Sequence, residues 1–174
     1  MTLKQLQTPQ MVLRIIAAMA AILFALWILF SWSDQRLVSM KDKSYDIVSV
    51  NDENSPYLVH IDQIVGGEHL IVEGWCLKKG TEYKSVECRV VFQDITTQEM
   101  FIAPTVMTVR SEGTEMANDG LNYDNSGFYL SLPSEFINSD TAMYNVFLLL
   151  NVNQEPVLID LEQVITVTKG GVIG

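Results

Sequence analysis

The sequence contains only two cysteines, Cys76 and Cys88, and no cluster of lysine or arginine. Two cysteines cannot supply the several crosslinks of a disulfide-rich scaffold. The formal net charge is -10, and all 21 acidic residues follow residue 33, together with nine of the eleven basic residues. Because an acidic chain without a basic patch repels a phosphate backbone, we expect no nucleic-acid partner.

Motifs of the common catalytic sites are also absent from the sequence. The chain has no GxSxG, SxxK, HExxH or phosphate-binding-loop pattern. His60 and His69 are the only histidines, and two ligands do not complete a zinc site. An Asn- and Asp-rich loop at 118–125 offers oxygen ligands for calcium, but its spacing is not that of an EF-hand and such loops are usually turns. We therefore predict no enzyme activity, no metal and no cofactor.

The main positive feature is a run of nineteen residues without a charge, from Ile15 to Ser33. A helix of that length spans roughly 28 Å, about the thickness of the hydrocarbon core of a bilayer. Its apolar residues lie on every face, which suits contact with lipid on all sides. The sequence predicts a transmembrane helix at 15–33 that binds membrane lipid.

A cleaved signal peptide is the alternative, with Lys4 and Arg14 as its basic region and Ser31-Trp32-Ser33 as the cleavage site. The apolar run is longer than the core of a usual signal peptide, so a retained anchor is the preferred interpretation. Residues 1–14 lack acidic residues, which favours a short cytoplasmic head. We expect a single-pass protein of the cell membrane whose C-terminal domain is extracytoplasmic.

After the helix, the sequence predicts a juxtamembrane stalk at 34–56, a β-sandwich domain at 57–168 and a flexible tail at 169–174. Alternating apolar residues predict about eight short strands at roughly ten-residue spacing, with no second helix. This pattern is typical of an antiparallel β-sandwich, and a closed barrel is the alternative. Residues 111–125 are expected to form the longest polar loop.

The strands that carry Cys76 and Cys88 are consecutive, so we expect them to pair as a hairpin. If residues whose numbers sum to 164 pair, the two cysteines face each other directly and a cross-strand disulfide is possible. Two buried free thiols that pack as small apolar groups are the alternative.

Two short motifs resemble a known family. Val72-Glu73-Gly74-Trp75-Cys76 is followed some 50 residues later by Tyr123 and then by Ser126-Gly127-Phe128. These motifs resemble those of immunoglobulin-like β-sandwich modules attached to proteins of the bacterial cell envelope and its surface glycans. The resemblance covers roughly residues 57–168. It implies a bacterial surface setting and an accessory role, and it implies no catalytic residue.

Aromatic residues provide the candidate ligand site. Trp75 is the only tryptophan after residue 33, Tyr83 lies near the adjoining turn, and Tyr123 lies in the long polar loop. If Trp75 is exposed beside one of these tyrosines, its ring forms a platform for a sugar; otherwise Trp75 is a packing residue, which we expect. We predict a non-enzymatic binding or scaffolding module whose partner is a protein or an envelope glycan.

The alternative function is an accessory subunit of a larger membrane complex. The predicted span has a face of small residues on which another helix can approach closely. These residues are Ala17, Ala18, Ala20, Ala21 and Ala25.

Overall fold

The structure is a computed structural model that describes residues 9–33, 37–40, 45–52, 55–133, 141–168 and 171–173. It contains two compact units, one ending at residue 36 and one beginning at residue 37. Most of the predicted head, and a helical turn that the sequence suggests at 134–137, lie outside the described residues.

The first unit contains one long helix, α1 (Pro9–Ser33), of 25 residues. Proline is well suited to a first helical turn, because its missing N–H would have no partner there. The helix begins six residues before the predicted span, and its candidate membrane-spanning segment runs from Gln10 to Leu29. No part of that segment is buried inside protein. The chain therefore has an N-terminal helix long and apolar enough to cross a bilayer, as predicted.

The second unit is mainly β, which confirms the predicted class. Its described residues form eleven strands, where the sequence predicted about eight. The strands are β1 (Val38–Ser39), β2 (Ile47–Ser49), β3 (Tyr57–Val65), β4 (His69–Lys78), β5 (Val86–Asp94), β6 (Met100–Ile102), β7 (Thr105–Thr108), β8 (Gly127–Pro133), β9 (Thr141–Val152), β10 (Glu155–Thr168) and β11 (Gly171–Ile173).

The strands form two sheets. The smaller sheet has the order β3-β4-β8-β7, and all its pairs are antiparallel. The larger sheet has seven strands in the order β1-β6-β5-β9-β10-β11, with β2 added parallel to β10. Pro104 lies between β6 and β7, where the chain passes from the larger sheet to the smaller one. Proline fits such a crossing because it has no N–H to donate to a ladder.

One hydrophobic core lies between the two sheets. Because successive side chains of a strand point to opposite faces, every second residue of the central strands is buried there. The smaller sheet contributes Leu70, Val72, Cys76, Phe128, Leu130 and Leu132. The larger sheet contributes Cys88, Val90, Phe92, Val146, Leu148, Leu150, Ile159 and Ile165.

The predicted hairpin of β4 with β5 is wrong. The two edges of β4 are already paired with β3 and β8, so no edge of β4 is left for β5. β5 instead lies in the larger sheet between β6 and β9. Cys76 and Cys88 are therefore on different sheets, and both are free and buried.

The predicted stalk also differs from the structure. Its described parts, residues 37–40 and 45–52, contain β1 and β2 and are joined to the larger sheet. The compact unit thus begins at residue 37, twenty residues before the predicted start of the domain. In the predicted flexible tail, residues 171–173 form β11 and pair with the end of β10. Short strands of this kind lack the long alternation by which sequence analysis recognises a strand.

The predicted long polar loop is partly helical. It contains α2 (Glu112–Ala117) and a 3-10 turn (Asp124–Ser126), and we call residues 111–126 the flap. Thr114 joins the two parts, since its hydroxyl donates to Asp124 Oδ1 at 2.6 Å and accepts from the N–H of Tyr123 at 2.8 Å. These local hydrogen bonds fold a polar segment that has little apolar area of its own.

Candidate functional site

A second, smaller hydrophobic cluster lies on the outer face of the smaller sheet. We call it the tryptophan cluster; its buried members are Trp75, Leu77, Ala117 and Tyr123. Trp75 and Leu77 alternate along β4 with the core residues, so they point away from the inter-sheet core. The flap covers them with Ala117 and Tyr123. The smaller sheet is therefore covered on both faces at this end of β4.

The two motifs noted in the sequence meet at this cluster. Trp75 pairs with Gly127 across β4 and β8, and Gly74 pairs with Phe128. A Cβ atom at Gly74 would lie 2.1 Å from the carbonyl oxygen of His60 on β3. Glycine is thus required at 74, because the backbone of β3 approaches too closely for any side chain.

Tyr123 is held by its hydroxyl as well as by its ring. The hydroxyl donates to Asp119 Oδ2 at 2.9 Å and accepts from the N–H of Gly80 at 2.8 Å. Burial raises the pKa of Tyr123, and the hydrogen bond to Asp119 raises it further. The phenol therefore stays neutral at ordinary pH and acts as a polar anchor between the flap and the turn after β4.

Tyr83 packs edge-on against Tyr123, with ring centroids 5.1 Å apart. Its hydroxyl accepts the N–H of Lys78 at 2.7 Å. Burial raises the pKa of Tyr83 well above its usual value, although the hydrogen bond from Lys78 opposes the shift. Tyr83 contacts both the tryptophan cluster and the inter-sheet core.

The structure brings the three predicted ligand-binding residues together, but it packs them as a cluster. Trp75 is 5% exposed and Tyr123 is 0% exposed. The imidazole of His60 stacks on the indole of Trp75 with ring centroids 5.8 Å apart. A sugar that stacked on Trp75 would first have to displace His60, so the arrangement favours the packing interpretation.

A polar row that sequence analysis did not single out lies beside the cluster. Arg110 donates from Nη2 to Asp62 Oδ2, and its Nη1 lies 3.8 Å from Glu73 Oε1. His60 Nε2 lies 3.5 Å from Asp62 Oδ1. The hydrogen bond from Arg110 to Asp62 is the largest cause of the raised pKa of Arg110. The row joins β3, β4 and Arg110, which lies two residues after the end of β7.

Gly127 makes this row possible. A Cβ atom at 127 would lie 2.5 Å from Cγ of Arg110, so the arginine stem passes directly over the glycine. The stem crosses β8 there and reaches the carboxylates on β4 and β3. The only feature of the sequence that could have pointed to Arg110 is the small number of arginines after residue 33. No local spacing connects Arg110 with Asp62, which is 48 residues away.

An open cleft of about 350 Å³ lies where the free edge of β3 meets the tryptophan cluster. His60, Trp75 and Met116 of α2 are among its lining residues, and Met116 is 65% exposed. Its lining mixes apolar and polar groups, as ligand sites usually do. Among the described residues its lining consists of Val50, Asp52, Ser55, Tyr57, Leu58, Val59, His60, Trp75 and Met116. This cleft is the candidate binding site.

Side-chain oxygens of Asp119, Asn122 and Asp124 in the Asn- and Asp-rich loop accept hydrogen bonds within the protein. Asp119 Oδ1 accepts the N–H of Leu121 at 3.1 Å, while Asn122 Oδ1 accepts the N–H of Asp124 at 2.8 Å. These are Asx turns, the usual role of such residues. No group of three His, Cys, Asp or Glu side chains placed to hold a metal occurs in the part of the chain that the structure describes.

The two histidines do not meet. His60 pairs with Trp75, whereas His69 pairs with Pro133 at the other end of β4, and its Nδ1 lies 3.2 Å from Ser131 Oγ. Six residues of strand separate the two pairs, which corresponds to about 20 Å.

Comparisons with family models, with curated proteins and with solved structures found no match to this chain. The resemblance to envelope-associated immunoglobulin-like modules therefore rests on the two motifs alone.

Proposed function

We propose that the protein is a single-pass membrane protein whose immunoglobulin-like sandwich is a non-enzymatic binding or scaffolding module at the bacterial cell envelope. The helix α1 anchors the protein, the following domain is extracytoplasmic, and the partner is a protein or an envelope glycan. The observation that carries the proposal is an unburied apolar helix that is followed in the chain by a separate β unit with a core of its own. Because the β unit buries its core without the helix, the apolar side chains of α1 remain available to contact lipid.

The cleft beside His60 and Met116 is the binding site in this proposal. It offers a stacked imidazole, a thioether and backbone of an edge strand, which together suit contact with a partner surface. The polar row of Arg110, Asp62 and Glu73 fixes the strands that carry it.

The anchor is tested by replacing Leu23 and Leu26 with arginine. Each charge at mid-span costs roughly 2.5–3.5 kcal/mol on insertion scales, so we expect the double variant to leave the membrane pellet on carbonate extraction. The matched control is the double alanine variant, which should stay in the pellet with the wild type. Wild-type protein that appears in the supernatant, shortened to begin near residue 34, would contradict the anchor and support a cleaved signal peptide.

The binding site is tested with a photo-crosslinking amino acid placed in intact cells at Met116. We expect crosslinked adducts at this position because Met116 lines the cleft and is exposed. Met143, which is 49% exposed on the larger sheet, is the matched control. Equal adduct yields at both positions would contradict a specific role of the cleft.

An accessory subunit of a larger membrane complex is the second candidate function. Ala17, Ala21 and Ala25 recur at intervals of four residues, which places them on one face of α1, and all three are exposed. An integral-membrane partner that copurifies in mild detergent would support this function if Ala21→Leu abolishes copurification and Met19→Leu does not.

A further inference from the structure

The two cysteines have no part in the proposed binding site. Cys76 on β4 and Cys88 on β5 lie on opposite sheets, and both are 0% exposed. They are free thiols of the same core cluster, and the side chain of Cys88 is close enough to Cys76 to contribute to its raised pKa. The two side chains thus enter one core from facing sheets, where a bond between their sulfur atoms would link the sheets directly.

The surroundings of this pair exclude a reactive thiol in the folded protein. Burial raises the pKa of Cys76 well above its ordinary value, and contact with Cys88 raises it further. The N–H of Cys88 lies 3.1 Å from the sulfur of Met107, another apolar neighbour. A catalytic or redox-sensing cysteine needs a low pKa and solvent access, and neither is found here.

We propose that Cys76 and Cys88 form a disulfide that joins the two sheets and that closes while the domain folds outside the cytoplasm. This inference rests on the proposed extracytoplasmic placement, because disulfides persist in oxidising compartments. The structure places the two cysteines together through the packing of the sheets, although the strands that carry them do not pair.

The oxidant is the disulfide of a thiol–disulfide oxidoreductase. The thiolate of one cysteine attacks this disulfide, and a mixed disulfide forms while the second sulfur of the oxidant leaves as a thiolate. The other cysteine then attacks the mixed disulfide and displaces the remaining sulfur of the oxidant. The protein loses two protons and two electrons, one intramolecular S–S bond forms, and the oxidant becomes a dithiol.

The burial of the two cysteines determines when the disulfide exchange can take place. Neither sulfur is accessible in the folded domain, so the exchange takes place before the sheets close over the cysteines. The same burial then protects the finished bond from external reductant. The redox state of the pair therefore records the compartment in which the domain folded.

The test uses cells that express the full chain. The cells are quenched in acid, the protein is denatured, and thiols are labelled with a maleimide that carries a polymer of about 5 kDa. We expect no gel shift before reduction and a shift of two labels after it. Because the sequence has only two cysteines, Cys76→Ala and Cys88→Ala each serve as a control that shows one label without reduction. Two labels on the unreduced wild type would overturn the proposal.

Two further measurements show which premise fails in that case. The purified full chain in detergent is reduced, denatured and refolded with a mixture of reduced and oxidised glutathione, and we expect a crosslinked product. That product should have a melting temperature about 10 °C above that of protein refolded under reducing conditions. Failure to crosslink there would show that the geometry is wrong. Crosslinking there, together with a β domain that resists protease in intact spheroplasts, would show that the extracytoplasmic placement is wrong.

Discussion

Replacing Trp75 with alanine is expected to lower the free energy of unfolding of the β domain by about 3–5 kcal/mol, as for other large-to-small changes of buried aromatic residues. The indole is the largest side chain of the tryptophan cluster, and it supports both the flap and the imidazole of His60. Its removal leaves a cavity that the backbone of β3, β4 and β8 cannot fill, because three paired strands hold it in place.

This loss of stability is measured by urea denaturation, with circular dichroism at the wavelengths that report on β-strands. This signal does not depend on tryptophan fluorescence. Val109→Ala is the matched control, since Val109 is 75% exposed and its truncation should change stability by less than about 0.5 kcal/mol. A Trp75→Ala protein as stable as the control would contradict the packing role. It would return Trp75 to consideration as a ligand contact.

The faces of the strands could be predicted from the sequence, but their neighbours could not. Alternation along 69–78 assigns Val72 and Cys76 to one face and Trp75 to the other, and the structure agrees. Nothing in that alternation says whether β5 pairs with β4 or crosses to another sheet. The outcome depends on β8, more than 30 residues later, which occupies the edge of β4 that the predicted hairpin required.

The candidate site shows the same limit. Trp75, Tyr83 and Tyr123 could be grouped from the sequence because aromatic residues are few and motifs mark their positions. The polar row could not be predicted, because Arg110 reaches Asp62 only through the space left above Gly127. Contacts that depend on the reach of one side chain across a sheet have no local signature.

The segment that leads into the β unit is the part of the fold that the sequence described least well. We call the described residues 37–40 and 45–52 the arm. The N–H of Val50 donates to the carbonyl of Asp160 at 3.0 Å, and the N–H of Leu158 donates to the carbonyl of Asp46 at 3.0 Å. Met40 and Tyr45 also pack on a cluster of Val91, Phe147 and Leu158 on the larger sheet. The arm thus completes both a strand edge and an apolar surface.

A carboxylate holds the end of the arm. Glu162 lies at an irregularity of β10 with φ 55°, where its side chain accepts hydrogen bonds from Ser49 Oγ at 2.5 Å and from Asn51 Nδ2 at 2.7 Å. The bond from Ser49 lowers the pKa of Glu162 most, and the bond from Asn51 lowers it further. Because the pKa of Glu162 is lowered in the folded state, these two hydrogen bonds contribute their full stability above the unfolded pKa of glutamate. That contribution is lost as the pH falls through the pKa of Glu162 in the folded protein.

Removing the arm is therefore expected to destabilise the domain that the sequence predicted at 57–168. In a fragment that begins at residue 57, Val91, Phe147 and Leu158 lose the cover of the arm. Full exposure of such side chains costs about 1.5–3 kcal/mol each, and here the exposure is partial. We therefore expect the free energy of unfolding to be lower by about 2–4 kcal/mol than that of a fragment that begins at residue 37. The measurement is urea denaturation of both fragments, with binding of a hydrophobic dye as a second readout of the uncovered cluster.

Glu162→Gln in the longer fragment separates the two contributions of the arm. This variant keeps the apolar cover of Met40 and Tyr45, so at neutral pH it should retain most of the stability that the shorter fragment loses. It should also lose less stability than the wild-type fragment when the pH is lowered, because the carboxylate that titrates is gone. Equal stability of the two fragments would show that the arm is a tether outside the fold, as the sequence suggested. A lower stability of the shorter fragment would show that the folded domain begins at the arm, because the arm would then stabilise the domain by covering the larger sheet.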